Sequence, residues 1–388
     1  MSSGFQRSEP NTAPARRFLK LYISTLVALG VAGGSVLLRT PEAHAATDAS
    51  AAVSTGPSQA QALPEINLQL SPWSVIAREK GFFEEEFGRI GTQKVNLIAS
   101  GAAELLGAEA AAVGGGAIAI AQRMIYPATV HRANGLDGVI IWASEPSNRY
   151  RAPILARADN DSINSVADLD GKKFGSSRIS CYWSSPFEIL TKAGLPFDSR
   201  NERGRVRYES IDNSAVAISA VLSGATDATT AHLAAGAFTG AWLSGKLKVV
   251  AQSPDDGVYV NNGGRVTYFA RRDFVDRYPD VVKAFLAARE RTREWALDNV
   301  DEAAEIVARE TRVPVNIAKF QITHPGQWEF MAGEPNAERA RQAIKNFQEW
   351  YVANGDDILS ERRLSDDQVD AFIDGRFFVG GDYSIYRQ

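Results

Sequence analysis

The stretch SVADLDGKKFGSS, Ser165–Ser177, decides the fold class. Ser165 stands before a short apolar turn, Val166–Leu169, where its hydroxyl can accept from free backbone N–H groups. Gly171 follows as the residue that takes a positive φ without a Cβ penalty. Lys172-Lys173-Phe174-Gly175 then enters a strand, and Gly175-Ser176-Ser177-Arg178 leads toward a helix starting near Trp183 or Ser184. A capped turn, a strand and a helix in such quick succession belong to α/β architecture.

The same alternation runs outward in both directions. Upstream, Glu65–Leu70 alternates polar and apolar residues as a strand does, and Ser74–Glu85 reads as one helix with Val75, Ile76, Phe82 and Phe83 inward. Lys94–Ile98 reads as a strand, Ala102–Ala110 as a helix and Gly138–Trp142 as a strand. Downstream, Ala215–Ser223 is a helix closed by Gly224, Thr226–Thr229 starts a strand, and Leu247–Ala251 is another. The final third is helical: Pro279 occupies a first turn, with Val281, Val282, Phe285, Leu286, Thr292, Trp295 and Ala296 on one face. Asp301–Glu310 and Ala337–Ala353 continue that pattern.

The chain has 388 residues, 45% hydrophobic and 23% charged, which excludes a disordered chain or a multi-span membrane protein. Its net charge of -4 carries no bias toward nucleic acid. The single cysteine, Cys181, excludes an internal disulfide and a Cys-based structural zinc site. With four histidines, none at metal-ligand spacing, no metal and no cofactor are expected.

Arg16-Arg17 precedes the apolar run Leu21–Leu38 and the small-x-small site Ala43-His44-Ala45, which together read as a twin-arginine export signal over residues 1–45, cleaved after Ala45. The other reading is an uncleaved membrane anchor. Removing the signal takes away five basic and two acidic residues and leaves a net charge of -7. The expected location is the periplasm. Residues 46–62, rich in Ala, Ser and Gln, read as a flexible leader.

Four stretches in order carry a family likeness: WSVIAREKGFFEEEF (Trp73–Phe87), SVADLDGKKFGSS, AVLSGATDAT (Ala220–Thr229) and the helical pair Tyr268–Ala308. Together they resemble the extracytoplasmic solute-binding proteins of ABC importers, of the nitrate/sulfonate/taurine type. The resemblance implies a two-lobed periplasmic-binding-protein fold of type II, each lobe a sheet flanked by helices, with a ligand cleft between. Lobe I would take residues 63–150 and 255–388, and lobe II residues 151–254. It also implies a membrane permease as partner, a monomeric state and no catalysis.

Ligands in open α/β sheets bind beyond the carboxyl ends of strands, where helix N-termini offer free N–H groups to anions. Three small-residue segments lie there: Ser100-Gly101-Ala102, Gly114-Gly115-Gly116 ahead of a helix expected near Ala117, and Gly175–Arg178. Candidate ligand contacts are therefore Ser100, Gly101, Gly115, Ser176, Ser177 and Arg178, the last for a forked pair with a sulfonate or carboxylate. Ser147 and Asn148, beside Glu145, end a strand near the interlobe boundary. Trp73 reads equally as a core residue or as a ring against the ligand's organic part, Tyr182 and Trp183 follow the same logic less strongly, and His232, more often a structural hydrogen-bonder, is a further cleft candidate. Asp168 and Asp227 read as cap and turn residues. The expected ligand is a small organic anion, an alkyl or aryl sulfonate or taurine-like molecule ahead of nitrate, bicarbonate or a pyrimidine precursor. The alternative is an enzyme using Cys181 at a helix start. Desulfinases on this scaffold carry their cysteine by the first strand, where this chain has Ser71-Pro72-Trp73.

Overall fold

The computed structural model describes residues 63–99, 108–145, 152–178, 180–198, 204–232, 236–324 and 335–379, with 330, 383 and 386 as single positions. The expected export signal and leader lie outside these residues, as do most of the helix expected over 102–110 and the positions Ser100, Gly101, Ser147 and Asn148.

The first sheet holds β1 (Glu65–Gln69), β2 (Lys94–Ile98), β3 (Ile120–Met124), β4 (Gly138–Ala143) and β10 (Val266–Arg271) in the order β2-β1-β3-β10-β4. The second holds β5 (Pro153–Arg157), β6 (Lys173–Ser176), β7 (Arg207–Ser210), β8 (Ala228–Thr230) and β9 (Leu247–Gln252) in the order β7-β6-β8-β5-β9. Each sheet is mixed. β10 runs antiparallel to β3 and β4, and β5 antiparallel to β8 and β9, while the remaining pairs are parallel. Every strand of the second sheet therefore comes from one continuous stretch, and the chain crosses between sheets twice, after β4 and after β9. β4, Gly-Val-Ile-Ile-Trp-Ala, is buried along its whole length, which is why it reads as an unbroken apolar run.

Ser165–Ser177 folds as expected. Val166–Leu169 is a single 3₁₀ turn on which Ser165 and Asp168 form a reciprocal capping box. Gly171 has φ +70°, and β6 follows directly. Asp227 accepts the Lys173 N–H at 2.8 Å, tying β6 to the segment before β8.

Two expectations change. The helix over 74–85 is two helices, α1 (Pro72–Glu79) and α2 (Phe82–Gly88), because Gly81 turns left-handed with φ +72° between them. The glycine triplet closes a helix, α3 (Ala108–Gly114), instead of opening one. Gly115 N–H bonds back to the Ala111 carbonyl at 2.8 Å, and the apolar residues beyond it form β3. The next helix, α4, starts only at Ile125 and runs to Ala133.

In the second sheet's stretch, α5 (Cys181–Lys192) follows β6, α6 (Ser214–Ser223) precedes β8, and α7 (Gly236–Leu243) precedes β9. Gly224 ends α6 with φ +80°. The C-terminal region supplies α8 (Arg272–Arg277), α9 (Pro279–Asp298), α10 (Val300–Thr311), α11 (Val315–Thr323) and α12 (Ala337–Ala353). α9 and α10 pack on α1, and α12 packs against the second crossover. No helix among the described residues is long and apolar enough to cross a membrane.

Candidate functional site

β1 and β3 share one buried region with the starts of two helices, α1 and α5. β1 ends at Gln69, and Ser71 then caps α1: its Oγ accepts the Ser74 N–H at 3.3 Å while Ser74 Oγ accepts the Ser71 N–H at 2.8 Å. That box fixes Trp73, whose ring meets Phe83, Tyr268 and Phe285 edge-on at 5.7, 6.1 and 5.3 Å. Trp73 is only 3% exposed, yet it lines a small cavity with Gln69, Ser71, Gln122 and Tyr268. The core and cavity readings of Trp73 therefore describe one position.

β3 brings Arg123 into the same region. Its guanidinium is buried and paired with Glu109 of α3, whose carboxylate is fully buried. Gln69 also bonds the Glu109 carboxylate, while its Oε1 accepts the Gln122 N–H at 2.7 Å. Arg123 Nη2 lies 3.3 Å from His131 Nε2 on α4. Burial pushes the Glu109 carboxyl up to about 7, against the downward pull of Arg123 and Gln69. Burial, aided by the neighbouring Arg123 charge, pushes His131 down to about 3.

From the second sheet, Ser180 caps α5 by accepting the Tyr182 N–H at 3.0 Å. Cys181 and Tyr182 begin that helix and are buried in the same cluster as Trp73, Ile120 and Met124, so the start of α5 packs onto the first sheet's core. His232, just past β8, places Nε2 2.7 Å from Cys181 Sγ and stacks on Tyr182 at 5.0 Å. Burial pushes the thiol up to about 12 and His232 down to about 3, while the charge of Arg123 pulls the thiol the other way.

The remaining candidates fall differently. Ser177 is buried, and its Oγ has no hydrogen-bond partner among the described residues. Ser176 Oγ is turned inward, donating to the Tyr182 carbonyl at 2.8 Å. Arg178 pairs with Asp357, with its guanidinium 4.5 Å from the Trp183 ring centre. Gly115 is exposed behind α3. Thus Trp73 and Tyr182 share a core cluster with Cys181 and His232 stands against both Cys181 and Tyr182, while Ser177 accepts from the Ser180 hydroxyl through its carbonyl and Arg178 is held by Asp357. Sequence reasoning passed over Gln69, Glu109, Arg123 and His131. The cue was the Gln122-Arg123 pair inside the apolar run Ala117–Tyr126, where a buried charge calls for a partner.

Comparison with known proteins places this geometry. The model of the family described as NMT1/THI5 like matches residues 73–303. No curated protein matches the sequence. Among solved structures, the alkanesulfonate-binding protein SsuA from Xanthomonas axonopodis pv. citri bound to MOPS is similar with a TM-score of 0.64 at 15% identity, covering 81% of this chain and 99% of that one. The periplasmic nitrate-binding protein NrtA from Synechocystis PCC 6803 gives 0.60 at 14%, covering 83% and 89%. A DSZB mutant in complex with biphenyl-2-sulfinic acid gives 0.51 at 15%, covering 84% and 100%. The likeness establishes the periplasmic-binding-protein fold, as the sequence motifs implied.

Proposed function

Because this chain belongs to the NMT1/THI5-like family, matched over residues 73–303, we propose that it is the substrate-binding component of an ABC importer, capturing a small organic anion between its two sheets. The lobes are residues 63–150 with 255–388, and residues 151–254. An alkyl or aryl sulfonate or a taurine-like molecule is the favoured ligand, and the protein hands it unaltered to a membrane permease. It works as a monomer in the periplasm after export through its twin-arginine segment.

The observation that carries this reading is Arg123: a buried guanidinium near the end of β3, the strand whose Ile120 and Met124 share a core cluster with Cys181 and Tyr182 at the start of α5. A planar cation opposite a helix N-terminus suits a sulfonate, which offers several acceptor oxygens. Ser177, just ahead of α5, has a buried hydroxyl, and Trp73, Tyr182 and His232 supply rings for an organic body. That aromatic surround favours a sulfonate over bare nitrate. The relatives named as alkanesulfonate- and nitrate-binding support the same ligand class. Thermal shift against ethanesulfonate, benzenesulfonate, taurine, nitrate, bicarbonate and orotate tests it. A sulfonate at a hundred times its dissociation constant adds about 2.7 kcal/mol of stability. No shift with any of these anions contradicts the reading, and a shift with nitrate, bicarbonate or orotate alone reassigns the ligand.

One contact favours a second reading, thiol catalysis: Cys181 Sγ stands 2.7 Å from His232 Nε2. Burial keeps this pair neutral, thiol and imidazole, which argues for binding instead. Sulfite released from an aryl sulfinate by the wild type, and lost in Cys181→Ala, would establish catalysis.

A further inference from the structure

We propose that Glu109 is a built-in counter-anion which couples ligand capture to a proton: a monovalent anion docking on Arg123 enters together with about one proton, which settles on Glu109. The inference rests on the anion-binding reading above.

It follows from the charges that face the site. Arg123 from β3 and Glu109 from α3 are in contact and buried, one positive and one negative. Gln69 from β1 is neutral and bonds the carboxylate. α4 contributes His131, held neutral by burial, while Arg132 on the same helix pairs with Asp137 toward solvent. α5 contributes the Cys181 thiol and the Tyr182 phenol, both kept protonated by burial, and neutral His232 stands behind them. From β10, Thr267 donates to the Arg123 carbonyl at 2.9 Å, and Arg271 reaches only the Gly114 carbonyl at the far end of α3 while pairing with Asp273. At the second crossover Arg265 pairs with Glu145 at 3.0 Å, and the same carboxylate also meets the exposed Arg339 at 3.5 Å.

Arg123 and the buried groups described in contact with it, the Glu109 carboxylate and neutral His131, therefore sum to zero. An arriving monoanion would leave a net negative charge in a buried site, which is strongly disfavoured. Protonating Glu109 restores neutrality and frees the guanidinium for the ligand. The proton is readily taken near neutral pH, because burial already holds this carboxyl at about 7. A bound anion beside it raises that value further. Affinity is then level below the ligand-free pKa, falls up to tenfold per pH unit above it, and levels again above the ligand-bound pKa.

Calorimetry with ethanesulfonate, whose own charge is constant over the range, tests this in the full-length wild type. Titrations at pH 8 in phosphate and in Tris report proton uptake through their different ionisation enthalpies. The expected result is uptake approaching one proton, affinity falling several-fold from pH 7 to pH 8.5, and a Glu109→Gln variant whose affinity is level across that range and higher than wild type at pH 8.5. Binding with no uptake and a level wild-type profile overturns the proton coupling alone. Absence of binding by ethanesulfonate, benzenesulfonate and nitrate even at pH 6 overturns the anion-binding reading and this inference with it. Should Glu109→Gln fail to fold, the wild-type buffer comparison decides by itself.

Discussion

Glu109 and the two buried histidines pull the stability of this protein in opposite directions along the pH axis. The folded state raises Glu109 from its ordinary 4.5 to about 7. Its contribution is therefore complete below about 4.5 and is lost as pH rises toward 7. His131 and His232 are lowered from 6.5 to about 3, so their contribution is complete above 6.5 and is lost as pH falls toward 3. A tenfold change in a group's proton affinity on folding corresponds to about 1.4 kcal/mol. Glu109→Gln should flatten the melting-temperature decline between pH 5 and pH 8; an unchanged decline would assign it to other groups. Arg178 makes a contrasting case. Glycines and serines around it suggested a ligand contact, but Asp357 and the Trp183 ring occupy it. Arg178→Ala should cost about 2 kcal/mol in urea unfolding through its lost partner, with ethanesulfonate affinity changed less than threefold. A large affinity loss at unchanged stability would return Arg178 to the site. Sequence reasoning chose Arg178 because it stands between a strand end and a helix start. Arg123 lies inside a strand, where its charge within an apolar run was the cue and Glu109, from a different element, is the partner.

At the scale of elements, local chemistry was legible wherever a side chain or glycine dictates the backbone. The Ser165 capping box, Gly171, Gly224, Pro279 at the first turn of α9 and the bounds of α12 all follow from such signals. Periodicity alone was less discriminating. It continues across Gly81, since Phe82 and Phe83 suit either a continued helix or a second one, and only the left-handed φ separates α1 from α2. The triplet at 114–116 could close one element or open another, and the carbonyl of Ala111, accepting from Gly115, settles it. Ser180 tests the importance of a single cap. Its Oγ holds the first turn of α5, from which Cys181 and Tyr182 face the first sheet. Ser180→Ala should lower stability by about 1 kcal/mol and weaken anion binding severalfold. Stability lost with binding intact would remove the start of α5 from the site.

For the whole molecule, the two crossovers matter most. The second is held by Glu188 of α5, which accepts the N–H groups of Val258 and Tyr259, each at 2.8 Å, and pairs with Lys192 at 3.1 Å. This ties the second sheet's leading helix to the strap that returns to the first sheet. The order of segments made β1, β2, β4, β6, β8 and β9 legible as strands, whereas the β3 stretch was expected as a helix and β5, β7 and β10 were not read as strands. The packing between the sheets was not legible, because Cys181 and the β3 residues Ile120 and Met124 are far apart in sequence and share a cluster only on folding. The proposed function stands on Arg123 as the anion's anchor. Calorimetric titration of ethanesulfonate into the double variant Arg123→Gln with Glu109→Gln probes that role without leaving either buried charge unpaired, since both are removed together. The expected outcome is a folded protein with wild-type-like cooperativity and at least about 100-fold weaker binding, as follows from loss of a charge-assisted contact of about 3 kcal/mol. Wild-type affinity in that variant would show that the anion is held elsewhere.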